Sequence, residues 1–155
     1  MKKNAMLSAL MEEYKRSAKD LKQILDDLPQ ALFEKITDTK TKDSDCKSIQ
    51  TITFHIIQSG YTYANYIHTI NKGEWFEYNE NIETPDKGIL EINKMLEFTE
   101  HIFDGIWFKS NEEIEKWKFD TRWNVTYDFE QLMAHAIVHI LRHRRQIENV
   151  ITNNS

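Results

Sequence analysis

The sequence predicts an all-α fold, a single four-helix bundle domain spanning residues 1–155. Three observations lead there. Pro (2) and Gly (4) are too scarce for the many turns of an all-β sandwich, or for a Gly-rich phosphate loop. Four stretches carry apolar residues at the three- and four-residue spacing of an amphipathic helix, with no repeated sequence period. With 155 residues and 40% hydrophobic side chains, the chain suits one core of ordinary globular balance. A long connection between the third and fourth stretches completes the bundle pattern.

The first helix is expected from about Ala5 to Leu28, with Leu7, Leu10, Tyr14, Leu21, Leu25 and Leu28 along one face. Pro29 ends it or bends the path. Residues 33–47 are polar and read mainly as loop. Ser48 is a natural N-cap for a second helix reaching about Asn71, with Gly73 just beyond. Its apolar stripe is Ile49, Ile52, Ile56, Tyr63, Tyr66, Ile67 and Ile70. Thr84-Pro85 is a cap followed by Pro at the first helical position, opening a third helix to about Phe108 on Ile89, Ile92, Leu96, Phe103 and Trp107. Residues 109–127 look irregular, and "WKFDTRWNVTY" alternates enough for a short strand. Asp128 and Gln131 make a capping-box start for the last helix, which runs to about Ile151.

Charge and composition exclude several function classes. The net charge is −5 without a long basic run, so there is no electrostatic footprint for nucleic acid. No run of about 18 apolar residues marks a membrane span. Lys2 and Lys3 precede no apolar stretch, so no signal peptide is read. A single cysteine, Cys46, precludes an intrachain disulfide framework and a four-Cys zinc site, which fits a reducing cytoplasm.

The segment "HAIVHILRHRRQIENV" places His135, His139 and His143 four residues apart among Leu, Ile and Val. An α-helix advances about 100° per residue. With His139 at zero, Leu132 and Val150 fall near ~20°, His143 near ~40° and Ala136 near ~60°. His143 therefore lies inside the apolar stripe, His139 at its edge and His135 nearer the rim. The same construction puts His55 at the edge of the second helix's stripe, with the small Ser59 one turn further along. Imidazoles at i and i+4 converge on one point, and a third from a facing helix completes three ligands for a metal ion, leaving positions for water or substrate. Imidazole suits zinc, nickel, iron and copper alike.

Three stretches carry a family resemblance. "SIQTITFHIIQSGYTYANYIH" has a Ser-Ile start, a histidine and an aromatic-rich turn. "LMAHAIVHILRHRRQI" has a histidine followed four residues later by His-Arg-X-Gln, and a first amphipathic helix ends near "LDDLP". The chain thereby resembles the DinB-like (DNA-damage-inducible, YfiT-related) superfamily over most of its length. The resemblance implies an up-down-down-up bundle, commonly a homodimer, whose histidine triad binds a divalent metal, often zinc or nickel. His55, His139 and His143 match the triad, and His135 matches a histidine that is usually not a ligand. Arg145 departs from the family, which usually has Gly there, and sets a bulky cation beside the motif. Some relatives are thiol-dependent S-transferases or isomerases using a low-molecular-weight thiol, and others resemble metal-dependent hydrolases. The expectation is a metal-dependent enzyme acting on a small molecule, by S-transfer or hydrolysis. The alternative is a non-catalytic helical module for dimerisation or ligand binding.

Other residues have two readings each. Gln146 either orients a ligand or bound water, or is an interhelical hydrogen-bonding group. Arg142, Arg144 and Arg145 either attract an anionic substrate or complement the helix dipole. Asp128 and Glu130 are a second-sphere carboxylate and base, or cap and dipole partners. Tyr61, Tyr63 and Tyr66 line a pocket or the core margin. Trp107, Trp117 and Trp123 cover the open end of the bundle or a dimer contact. Cys46 has no His companion nearby in sequence, which weighs against a nucleophile. His68 and His101 have no partner at ligand spacing and read as surface.

Overall fold

Side-chain caps decide where the long helices begin. The computed structural model describes residues 1–154 and is predominantly helical. Asn4 accepts from the backbone N–H of Met6 and Leu7 and opens α1 (Ala5–Leu25). After a five-residue helix α2 (Gln30–Glu34) and a 3-10 turn at Ser44–Cys46, Ser48 and Thr51 form a reciprocal capping box that opens α3 (Ile49–Ile70). Thr84 caps α4 (Pro85–Asp104), where the missing N–H of Pro85 leaves no bond unmade. A short α5 (Asn111–Ile114) and a two-stranded antiparallel hairpin, β1 (Phe119–Asp120) and β2 (Thr126–Tyr127), follow. Asp128 and Gln131 then box the start of α6 (Phe129–Asn153).

Two helices are shorter than their apolar patterns suggest. The first stops at Leu25 rather than Leu28, because Asp27 adopts a left-handed φ of 58° and turns the chain toward Pro29. The pattern continues because Leu28 still packs against the core from outside the helix. The third stops at Asp104 rather than near Phe108. There the N–H groups of Gly105, Ile106 and Trp107 close a tight turn on Ile102 and Phe103. Trp107 remains buried, so burial outlasts helical geometry at this end.

Helix α1 packs on α4 and α6, and α3 packs on the same two helices. The buried stripes of all four, including Leu7, Leu21, Ile56, Ile92, Leu132 and Ile147, merge into one core that also takes in Phe33, Ile114 and Phe119. Across the helix pairs, Lys15 meets Glu100, Arg144 meets Asp20, and His55 meets His139. No helix among the described residues is long and apolar enough to cross a membrane.

His101 is exposed, as expected, but His68 is not a surface group. Its ring is half-buried, sits edge-on to Phe98, and leaves no room for a Cβ at position 73, which is why Gly73 stands there. The α3–α4 contact has a similar close approach. A Cβ on Gly60 would fall 1.8 Å from Met95 Sδ and 3.0 Å from the Tyr14 hydroxyl. Met95 and Tyr14 are both buried, so neither can swing into solvent. Gly60→Ala should therefore overpack the contact and cost about 1–3 kcal/mol, read as a lower urea midpoint at unchanged slope. A midpoint equal to that of the native chain would show that the helices separate freely here.

Candidate metal centre

The facing surfaces of α3 and α6 bring together the three histidines that the sequence selected. One ligand atom from each of His55, His139 and His143 lies within 4.8 Å of the others, close enough to bind a metal ion. The Nε2 atoms of His55 and His139 are 2.9 Å apart. Nitrogens sharing a tetrahedral zinc, with bonds of about 2.0–2.1 Å, stand roughly 3.3 Å apart, so this pair would open by a few tenths of an ångström around an ion while the widest separation in the triad, up to 4.8 Å, would close. The three rings are mutually tilted, with centroids 4.5–5.0 Å apart. His143 is buried and the other two are half-buried, as their positions at the edge of the stripe require.

What lies behind the rings fixes which nitrogen faces the centre. Asp45 Oδ2 is 3.3 Å from His55 Nδ1. Gln146 Oε1 is 2.9 Å from His143 Nδ1. An amide oxygen can only accept there, so His143 carries its proton on Nδ1 and leaves Nε2 with a free lone pair, while the Asp45 carboxylate stands at ion-pair distance from His55 Nδ1. Asp45 was not singled out from the sequence. It sits in the polar segment before α3, and only the 3-10 turn, held by the Asp43 side chain accepting from Asp45 N–H, swings it back over the first turns of α3. Gln146 acts on His143 rather than directly on a ligand.

Burial also favours the neutral form of the α6 imidazoles. Burial, reinforced by neighbouring His143 and His55, pushes His139 down to about 3. Burial also lowers His143, against the opposing hydrogen bond from Gln146, and lowers His135. Neutral imidazole is the ligating form.

Beside the triad, between α3 and the hairpin, is a cavity of about 210 Å³, lined by His55, Ser59, Tyr63, Trp123, His135 and His139 among others. His135 joins its wall rather than the triad: its Nδ1 is 3.0 Å from the Tyr127 hydroxyl, and Trp123 stacks on its ring at 5.4 Å. Tyr63 packs edge-on against both His135 and His139, and burial holds its phenol protonated. Trp123 thus covers the site, whereas Trp107 is buried in the core and Trp117 packs on Phe129. Tyr61 stacks on Tyr78 and lines a neighbouring cleft, and Tyr66 accepts from the backbone N–H of Arg122.

The remaining candidates fall outside the centre. Asp128 is a cap and Glu130 a first-turn exposed residue. Arg144 pairs with Asp20 and Glu148, and Arg145 points to solvent, so its bulk does not disturb the helix contact. Cys46 does come near the site through folding, in contact with Asp43 and Gln146, but burial pushes its thiol up, away from the reactive thiolate.

Comparison with models of known protein families finds no match for this chain, and comparisons with curated proteins and with solved structures find none either.

Two outcomes follow from this geometry. Asp45→Asn and Gln146→Ala should each weaken zinc or nickel affinity by roughly 10–100-fold, because each frees a ring to rotate. Unchanged metal dissociation constants in both variants would sink that assignment. Second, His139 binds a proton less readily folded than unfolded, so metal-free protein should lose stability as pH falls from about 6.5 toward 3. Urea midpoints measured across that window should fall, and His139→Gln should flatten the slope.

Proposed function

We propose that this chain is a divalent-metal-dependent enzyme of the DinB-like superfamily, with zinc or nickel held by His55, His139 and His143. The observation that carries this reading is the convergence of three imidazoles, with an acceptor oxygen near the far ring nitrogen of both His55 and His143, beside a cavity. A divalent ion there would supply a lowered pKa for a coordinated water or stabilise a thiolate. The protein's own part is to keep the proton on Nδ1 of His143, to set the Asp45 carboxylate beside His55 Nδ1, to hold the Tyr63 phenol protonated as a donor, and to wall the cavity with Trp123. We favour S-transfer from a low-molecular-weight thiol to a small molecule, with metal-dependent hydrolysis as the related alternative.

The proposed topology is the family's up-down-down-up four-helix bundle. Supporting it, Met6 lies by Phe129 and Asp20 by Arg144, which is parallel running of α1 and α6. Lys15 meets Glu100 and Lys22 meets Asn93, which is antiparallel running of α1 and α4. His55 meets His139 while Tyr63 meets His135, antiparallel again for α3 and α6. A homodimer in the cytoplasm belongs to the same proposal.

A non-catalytic module is the second reading, and one contact favours it: a single proton can bridge the Nε2 atoms of His55 and His139 without any ion. Metal content separates the two. Untagged native protein should keep about one zinc or nickel per chain through dialysis, and the His139→Ala/His143→Ala double variant should keep almost none. Full metal retention by the double variant, or a native melting temperature indifferent to both metals, would overturn the metal-centre reading.

A further inference from the structure

The cavity beside the triad has a feature that ion binding does not use. Its rim carries Arg122, which also lines a second cleft of about 100 Å³ bounded by Tyr61, Trp75 and Phe76. Acidic residues outnumber basic ones in this chain, 25 to 20. Among the described residues the guanidinium of Arg122 makes no ion pair or hydrogen bond, as is also true of Arg142 and Arg145, but of these Arg122 alone lines this cavity. Arg122 sits close enough to Tyr63 to act on its phenol, so its charge is felt inside the cavity.

The segment that presents Arg122 is held by several hydrogen bonds. Asn124 takes a left-handed φ of 63°, and the Thr121 side chain bonds Val125 at both its carbonyl and its N–H, at 2.6 and 3.2 Å. The Arg122 N–H is itself tied to the Tyr66 hydroxyl of α3 at 2.9 Å. This tight turn fixes two consecutive residues at the cavity: Arg122 with its free charge, and Trp123, whose ring lies nearly parallel to His135 at 22°. Tyr63 stands edge-on to His135. The cavity is therefore aromatic on one side, with Arg122 among its lining and two triad histidines, His55 and His139, in its wall. A planar guanidinium matches the two oxygens of a carboxylate, and aromatic walls favour a planar apolar body.

We propose that this cavity binds a small carboxylate with a planar, apolar body, the carboxylate on Arg122 and the body against Trp123 and Tyr63. The inference rests on the reading of the triad as a reaction centre, because it names the class of molecule brought there. Binding itself depends on Arg122 and not on the ion. The position of Arg122 at the junction of two clefts lets the body extend toward the triad while the charged end stays at the rim.

The test is calorimetric titration with benzoate, phenylacetate and 3-phenylpropionate, with benzamide as the neutral counterpart, on full-length protein prepared both zinc-loaded and chelator-stripped. At least one acid should bind saturably in the millimolar range or tighter, and benzamide should bind roughly ten-fold more weakly. Arg122→Gln should lose about the same factor for the acid and none for the amide. Arg145→Gln, whose side chain points to solvent, should change neither. Circular dichroism and zinc content should match native for both variants. The proposal is overturned if no acid binds, if acid and amide bind alike, or if Arg122→Gln binds the acid as native does. An acid that binds only with zinc present and ignores Arg122 is an ion ligand, and that outcome also overturns it. Zinc bound at the triad with no Arg122-dependent acid would defeat this inference alone. Arg122-dependent acid binding by a protein that takes up no zinc when zinc is supplied would defeat the metal-centre reading alone.

Discussion

The approach of α3 to α6 is the contact on which the rest depends. Each helix carries its histidine at the margin of the buried stripe, so ordinary burial of Ile52, Ile56, Leu132 and Ile140 draws the imidazoles together. No dedicated element is needed to position the triad. The hydrophobic effect that builds the core also sets the separation of the ligand atoms, and core side chains in close packing allow little drift. The same burial removes water from His139 and His143 and keeps them neutral. Packing and ligand chemistry thus have one cause.

The connecting segments add what the helices lack. The 3-10 turn before α3 brings the Asp45 carboxylate behind His55. The hairpin between α5 and α6 brings Trp123 over His135 and Arg122 to the rim. Both devices are short, polar and held by side-chain-to-backbone hydrogen bonds rather than by long ladders. Such turns can be precise without a large core beneath them, because each bond fixes a backbone dihedral locally. Helices therefore bring the three histidines together, and the connecting segments bring Asp45, Trp123 and Arg122 beside them.

The two orphaned histidines show how far location outweighs residue type. His68 lies on α3 beyond the cavity, half-buried against Phe98, with its Nδ1 buried and unpaired among the described residues. His135 lies one turn before the triad but turns to Tyr127 and Trp123. Neither joins the ligand set, although both sit on the helices that form it.

Much of the helical framework was legible from residues alone. Ser48, Thr84 and Asp128 announce helix starts because a cap is a local hydrogen bond, decided within four residues. His143 and His139 could be placed at the stripe and its edge because a helix has a fixed angular step. Two helix ends were overestimated, at Leu28 and Phe108, since apolar spacing persists where Asp27 and Gly105 have already turned the chain. Asp45, Arg122 and Trp123 carried no periodic signal, because their positions come from turns that bend back onto the helices rather than from a helical repeat. Helix-scale order is set by neighbours a few residues apart and is written in the chain. Which polar side chain faces the seam depends on how those helices and turns pack, and that is a property of the assembled molecule.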